Sequence, residues 1–194
     1  KASCDVTGSS ILLGDKSALT NKQYRGAKIF ASNGKCLQCH SGSQLTDFKS
    51  YSIGAPQLGP GKADLYGEIF GEDFGLELIT GDQKDRFKFK TPTLRNVYYS
   101  GPWSHSGAYN NLKAFLQHHV DPEKGMEQFL TSPQDYLPEN TAEDFLALVD
   151  LDQTRNQARV DSQDPILKGV QLSGREIEDL YEFLKSLSDL GVYN

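Results

Sequence analysis

Cys36-Leu37-Gln38-Cys39-His40 is the stretch that decides the reading of this chain. Two thiols two residues apart can add across the two vinyl groups of one haem, and the histidine directly after the second thiol is then held beneath the iron. Two other chemistries use a close cysteine pair. A zinc site needs four ligands, and a second compact pair is absent from the sequence. A thioredoxin-like redox pair expects a βαβ context, and no convincing strand set is legible. The motif therefore predicts one covalent haem c on Cys36 and Cys39, with His40 as an axial ligand.

The flanking residues predict helices on either side of a long loop. Thr20 and Gln23 have capping-box spacing, so each side chain can satisfy the other's orphan amide. Tyr24, Ala27, Ile29 and Phe30 follow on a broadly apolar face, and Asn33-Gly34 is expected to end the helix with Gly34 at positive φ. Near the far end, Ser173 and Glu176 repeat the capping box. Ile177, Leu180, Tyr181, Leu184 and Leu187 then form an apolar stripe that Gly191 closes. Gly26 should let this last helix cross the first at close range, with Phe30 over the haem edge and Tyr181 or Leu184 as the matching contact.

Between them, residues 41–102 are rich in glycine and proline. A loop of that length is out of place in a compact domain unless it wraps a cofactor that supplies the core. A short helix over Asn110–Val120 carries Leu112, Phe115, Leu116 and His119 at helical spacing and is stopped by Pro122. Residues 121–140 read as loop, Thr141 caps a helix through Leu151, and residues 152–168 are polar. Residues 1–18 read as a tail or linker, so the expected fold class is all-α: a cytochrome c-like haem domain over residues 19–194 with long cofactor-wrapping loops.

Bulk properties narrow the function classes. Twenty Lys and Arg against 26 Asp and Glu give a net charge of −6, which argues against a basic nucleic-acid surface. No apolar run approaches the roughly 18 residues of a membrane span. The chain begins Lys1-Ala2-Ser3-Cys4 without Met, as expected of a processed or excised chain. Thioether attachment of haem happens outside the cytoplasm, which predicts a periplasmic or otherwise extracytoplasmic protein. Cys4 is left over, as a free thiol, an intermolecular bridge or a lipid-modified residue.

A second signature lies downstream. Phe87-Lys88-Phe89-Lys90-Thr91-Pro92-Thr93-Leu94-Arg95-Asn96-Val97 resembles the "PTLRN" segment of bacterial dihaem cytochrome c peroxidases and their MauG-like relatives. Gly101-Pro102-Trp103-Ser104-His105-Ser106-Gly107 resembles the "PYxHDG" segment that follows it there, and Leu112 to His119 resembles the next helix. The resemblance covers roughly residues 19–190 and matches the C-terminal domain of that family. It implies an all-α cytochrome core whose haem passes electrons to a second, peroxide-binding haem domain that has no counterpart here.

By the same resemblance the distal iron ligand falls at His119, where the peroxidases have Met and MauG-like proteins have Tyr. His/His ligation is the expectation. It implies a potential below that of a His/Met relative and no open coordination position for peroxide. Met126, His118 and His105 are the other candidate ligands, and His118 lies about 100° around the helix from its neighbour. The resemblance also implies that His105 orients the haem edge or its propionates, unless it is a hydrogen-bonded loop histidine. Arg95 can donate to a propionate or to loop carbonyls through its planar fork. Trp103, in place of the family's Tyr, is a core residue or an aromatic surface near the haem edge. Calcium, which the family binds between its domains, would fall at Ser100 and Pro102, without the side-chain ligand from the other domain.

Three functions compete on these readings. One is an electron-transfer cytochrome that meets a redox partner protein or a second haem domain. Another is the electron-transferring half of a peroxidase or MauG-like oxidase whose catalytic domain is absent from the chain. The third is a haem-based sensor, against which two filled axial positions argue.

Overall fold

A computed structural model describes residues 19–59, 72–137 and 146–188. The expected tail with Cys4, the first half of the helix expected over Thr141–Leu151, and Gly191 lie outside the described residues. The chain forms two compact units, each assembled from separated segments. The first takes its described residues from 19–49, 91–100 and 169–188, and the second from 50–59, 72–90, 101–137 and 146–168.

The first unit is built on two helices, α1 (Asn21–Ala31) and α6 (Gly174–Ser186). Both begin with the expected capping boxes, Thr20 with Gln23 and Ser173 with Glu176. Gly26 is where they cross: a Cβ placed there would lie 2.0 Å from the Asp179 carbonyl oxygen and 2.7 Å from Phe183 Cβ. The aromatic partner of Phe30 is Phe183, edge-on at 5.3 Å between centroids, rather than Tyr181 or Leu184. Arg25 forks onto the Asp179 carboxylate with two contacts of 2.6 Å. Arg25 is 41% exposed, so the pair adds little stability.

The end of α1 differs from expectation. The left-handed residue is Lys35, with φ 55°, not Gly34. Gly34 is needed for another reason, because a Cβ would sit 2.7 Å from the Ile29 carbonyl oxygen.

The second unit contains α3 (Leu112–Val120), α4 (Pro122–Thr131) and α5 (Gln153–Asp161), preceded by the single-turn α2 (Glu77–Thr80). A short antiparallel pair, β1 (Ser50–Tyr51) with β2 (Phe89–Lys90), belongs to it as well. Its core gathers Leu58, Ala108, Tyr109, Phe129, Leu137 and Val149. Two of its helices depart from the sequence reading. Residues 122–131, expected as loop, are helical because Pro122 occupies the first turn, where its missing N–H costs nothing, and Asp121 caps the Lys124 amide. Residues 153–161 form α5 behind an Asp152 cap. Past Leu146 the chain turns, and Val149 pairs with Leu58 instead of continuing a helix.

Charge rather than apolar surface anchors α5. Arg159, 2% exposed, donates to Glu72 at 2.6 Å, Asp150 at 2.7 Å and Asn156 at 2.6 Å. Arg155 adds a second fork onto Asp150. Burial pushes the Asp150 carboxyl up, but the hydrogen bonds from Arg155 and Arg159 outweigh it and hold the group well below the usual carboxylate range. A carboxylate depressed in the folded state stabilises fully above its unfolded value of about 3.9 and loses that contribution as pH falls through the folded value. Asp150→Asn should therefore cost on the order of 3 kcal/mol at pH 7 and show a shallower loss of stability between about pH 4 and 2. Urea titrations of both forms at pH 7 and in acid test this, and parallel acid profiles would contradict it.

Candidate functional site

The cysteine motif follows α1 through one tight turn. A single 3-10 turn spans Cys36–Gln38, and the His40 amide closes back on the Cys36 carbonyl at 2.8 Å. Neither cysteine is in a disulfide. Desolvation pushes the Cys36 thiol up to about 12. That is opposite to the depressed thiol of a redox-active pair. Nor do three or more His, Cys, Asp or Glu side chains gather as a metal-binding group among the described residues.

The His40 ring is oriented by its own loop. Its Nδ1 lies 3.1 Å from the Leu45 carbonyl oxygen. A carbonyl only accepts, so Nδ1 carries the proton and Nε2 the lone pair, the tautomer that a metal-bound histidine adopts. Leu45 is buried and held at φ 51°. The segment 91–95 fastens the same loop: the Arg95 fork donates twice to the Ser43 carbonyl, at 3.0 and 2.8 Å, and Thr93 Oγ1 donates to the Gln44 carbonyl at 2.6 Å. Thr46 Oγ1 in turn donates to the Thr91 carbonyl at 2.8 Å. Of the two roles expected for Arg95, the loop-carbonyl one is present. The residues present thus fit a covalent haem: two unlinked thiols on one turn, followed by an imidazole in the ligating tautomer.

In the second unit, α3 carries two adjacent histidines with opposite environments. His119 donates Nδ1–H to the Phe115 carbonyl at 3.0 Å, which again leaves the lone pair on Nε2. Among the described residues Nε2 has no hydrogen-bond partner, and the ring is edge-on to Phe115 at 4.5 Å. His118 is fully buried with both nitrogens engaged, Nε2 on the Ile53 carbonyl at 3.1 Å and Nδ1 on the Tyr109 hydroxyl at 3.0 Å. Burial, reinforced by His119, pushes it down to about 3, so the ring is neutral. It has no nitrogen to offer a metal.

The remaining candidates have local partners. Met126 is on α4, 4% exposed, rather than in the expected loop. His105 stacks on Phe89 at 3.8 Å with ring planes 8° apart, and its Nε2 meets Gln57 Oε1 at 3.3 Å. Trp103 packs against the core of the second unit and bridges to Tyr109. Ser100 Oγ donates to the Val97 carbonyl. The sequence reading missed His118 as an organising residue, because Ile53, Tyr109 and Gly125 come to it from three separate segments.

No family model matches the chain. It is 26% identical over 193 residues to the cytochrome-c peroxidase IdrP1 of Pseudomonas sp. strain SCT, covering 90% of this chain and 42% of that protein. It is 31% identical over 138 residues to the cytochrome c peroxidase Ccp of Escherichia coli K12, covering 71% and 26% respectively. The methylamine utilization protein MauG of Methylorubrum extorquens AM1 is 33% identical over 111 residues, covering 56% and 28%. The chain thus spans less than half the length of each. Its fold resembles a MauG-like protein associated with microbial copper homeostasis, with a TM-score of 0.61, 19% identity, and coverage of 95% of this chain and 52% of that one.

Proposed function

The chain belongs to the bacterial dihaem cytochrome c peroxidase and MauG-like family, and from that membership we propose that it is a c-type cytochrome domain that carries electrons through one covalently held haem. Cys36 and Cys39 would hold the group by thioethers, and His40 and His119 would supply its two axial nitrogens. The observation that carries this reading is shared by the two histidines: each ties Nδ1–H to a backbone carbonyl, at 3.1 and 3.0 Å, and so keeps its lone pair on Nε2. A haem so held supplies a one-electron ferric/ferrous couple. The chain's own work is to hold both rings in one tautomer and to leave no coordination position open to an oxidant.

This favours the electron-carrying domain of the family over the peroxide-binding one, with a second haem domain or a separate redox protein as partner. Attachment through thioethers supports an extracytoplasmic location. Among the described residues no helix is long and apolar enough to cross a membrane.

Haem stoichiometry, the ferric paramagnetic-resonance spectrum and peroxide turnover, measured on the haem-loaded chain, test the proposal together. One haem per chain, a wholly low-spin bis-imidazole signal and no peroxide-dependent turnover are expected. A high-spin ferric signal or sustained peroxide turnover would overturn it.

A further inference from the structure

We propose that His118 is the positioning residue for its neighbour His119, fixing the rotation of α3 so that the ligand ring is aimed; this rests on the reading of His119 as an iron ligand. An axial ligand has to be held within about 0.5 Å and 10–20° of its productive geometry. The nine residues of α3 make two and a half turns. Its apolar anchors, Leu112 and Leu116, are buried, but apolar contact is non-directional and does not by itself stop a short helix from rolling.

His118 supplies the direction. Nε2 faces the Ile53 carbonyl, which only accepts, so Nε2 carries the proton and Nδ1 accepts from the Tyr109 hydroxyl. Tyr109 is buried to 1% exposure and Ile53 is half-buried. The ring is also boxed in sterically. A Cβ on Gly125 of α4 would lie 2.5 Å from His118 Nδ1 and 2.8 Å from its Cα. The α4 backbone therefore closes the space into which the ring could swing. Three contacts from three segments hold one residue, and the next residue along the helix is the proposed ligand.

The test compares His118→Phe, Tyr109→Phe and His119→Ala in the haem-loaded chain, by ferric paramagnetic resonance and by midpoint potential, with urea unfolding alongside. His118→Phe keeps a ring and loses both hydrogen bonds. It should turn the single low-spin signal into several species or add a high-spin fraction, shift the potential, and return to one low-spin signal when free imidazole is added. Tyr109→Phe should shift the same readouts in the same direction by less. If both variants keep the parent spectrum and potential while only stability falls, the role is merely structural and the proposal fails. If His118→Phe does not fold, Tyr109→Phe decides by the same readouts. An unchanged spectrum in His119→Ala would sink the ligand assignment itself. A changed one there, beside unchanged His118→Phe and Tyr109→Phe, sinks this proposal alone.

Discussion

Gly26→Ala is expected to destabilise the chain by about 3 kcal/mol, the upper end of what overpacking costs. Two effects of opposite sign meet at this position. Alanine is the better helix former by about 1 kcal/mol, so in an exposed helix the change would stabilise. Here the new methyl would lie 2.0 Å from the Asp179 carbonyl oxygen and 2.6 Å from its carbon. Those atoms are backbone and cannot rotate away. The α1–α6 pair must separate by more than an ångström, which loosens the Phe30–Phe183 contact and the Arg25–Asp179 fork together. The steric term wins. Urea unfolding of the haem-loaded variant measures it, and a variant as stable as the parent would show that the helices do not pack as described.

His119→Ala should convert the ferric centre from low-spin to high-spin almost completely, because the other candidate ligands, His118, His105 and Met126, are engaged or buried elsewhere. His118 has both ring nitrogens committed, and Met126 is buried on the adjoining helix. Free imidazole should restore the low-spin signal. His119→Met should instead stay low-spin and raise the midpoint potential by a measurable part of the ~0.8 V span that axial ligands command. Resonance spectra and redox titration of the two variants check this. A low-spin alanine variant without added ligand would mean that iron takes its sixth ligand elsewhere.

What the sequence discloses follows from how local each signal is. Both capping boxes are encoded within four residues, and both appear as read. The close approach at Gly26 is legible as one of two readings of a glycine inside an otherwise good helix, the other being a glycine that merely weakens an exposed one, and the crossing is the one present. Its partners were misassigned to Tyr181 and Leu184, since an apolar stripe does not reveal which turn meets which. α4 was hidden by proline, which marks a helix start as readily as a stop. α5 was hidden because its buried side chains are Asn156 and Arg159, and a periodicity of apolar residues does not register an ionic anchor. The Arg95 fork and the His118–Ile53 bond join residues 52 and 65 positions apart, and no local pattern announces such partners.

The Arg25–Asp179 fork joins residues 154 positions apart, and this has a consequence for how the molecule is made. At a synthesis rate of about 5–20 residues per second, α1 leaves the ribosome roughly 8 to 30 s before α6 exists to cover it. Through that interval the Gly26 face and the Phe30 ring are exposed on a nascent chain. The first unit can close only after translation has passed α6, and any product terminated before α6 leaves α1 uncovered.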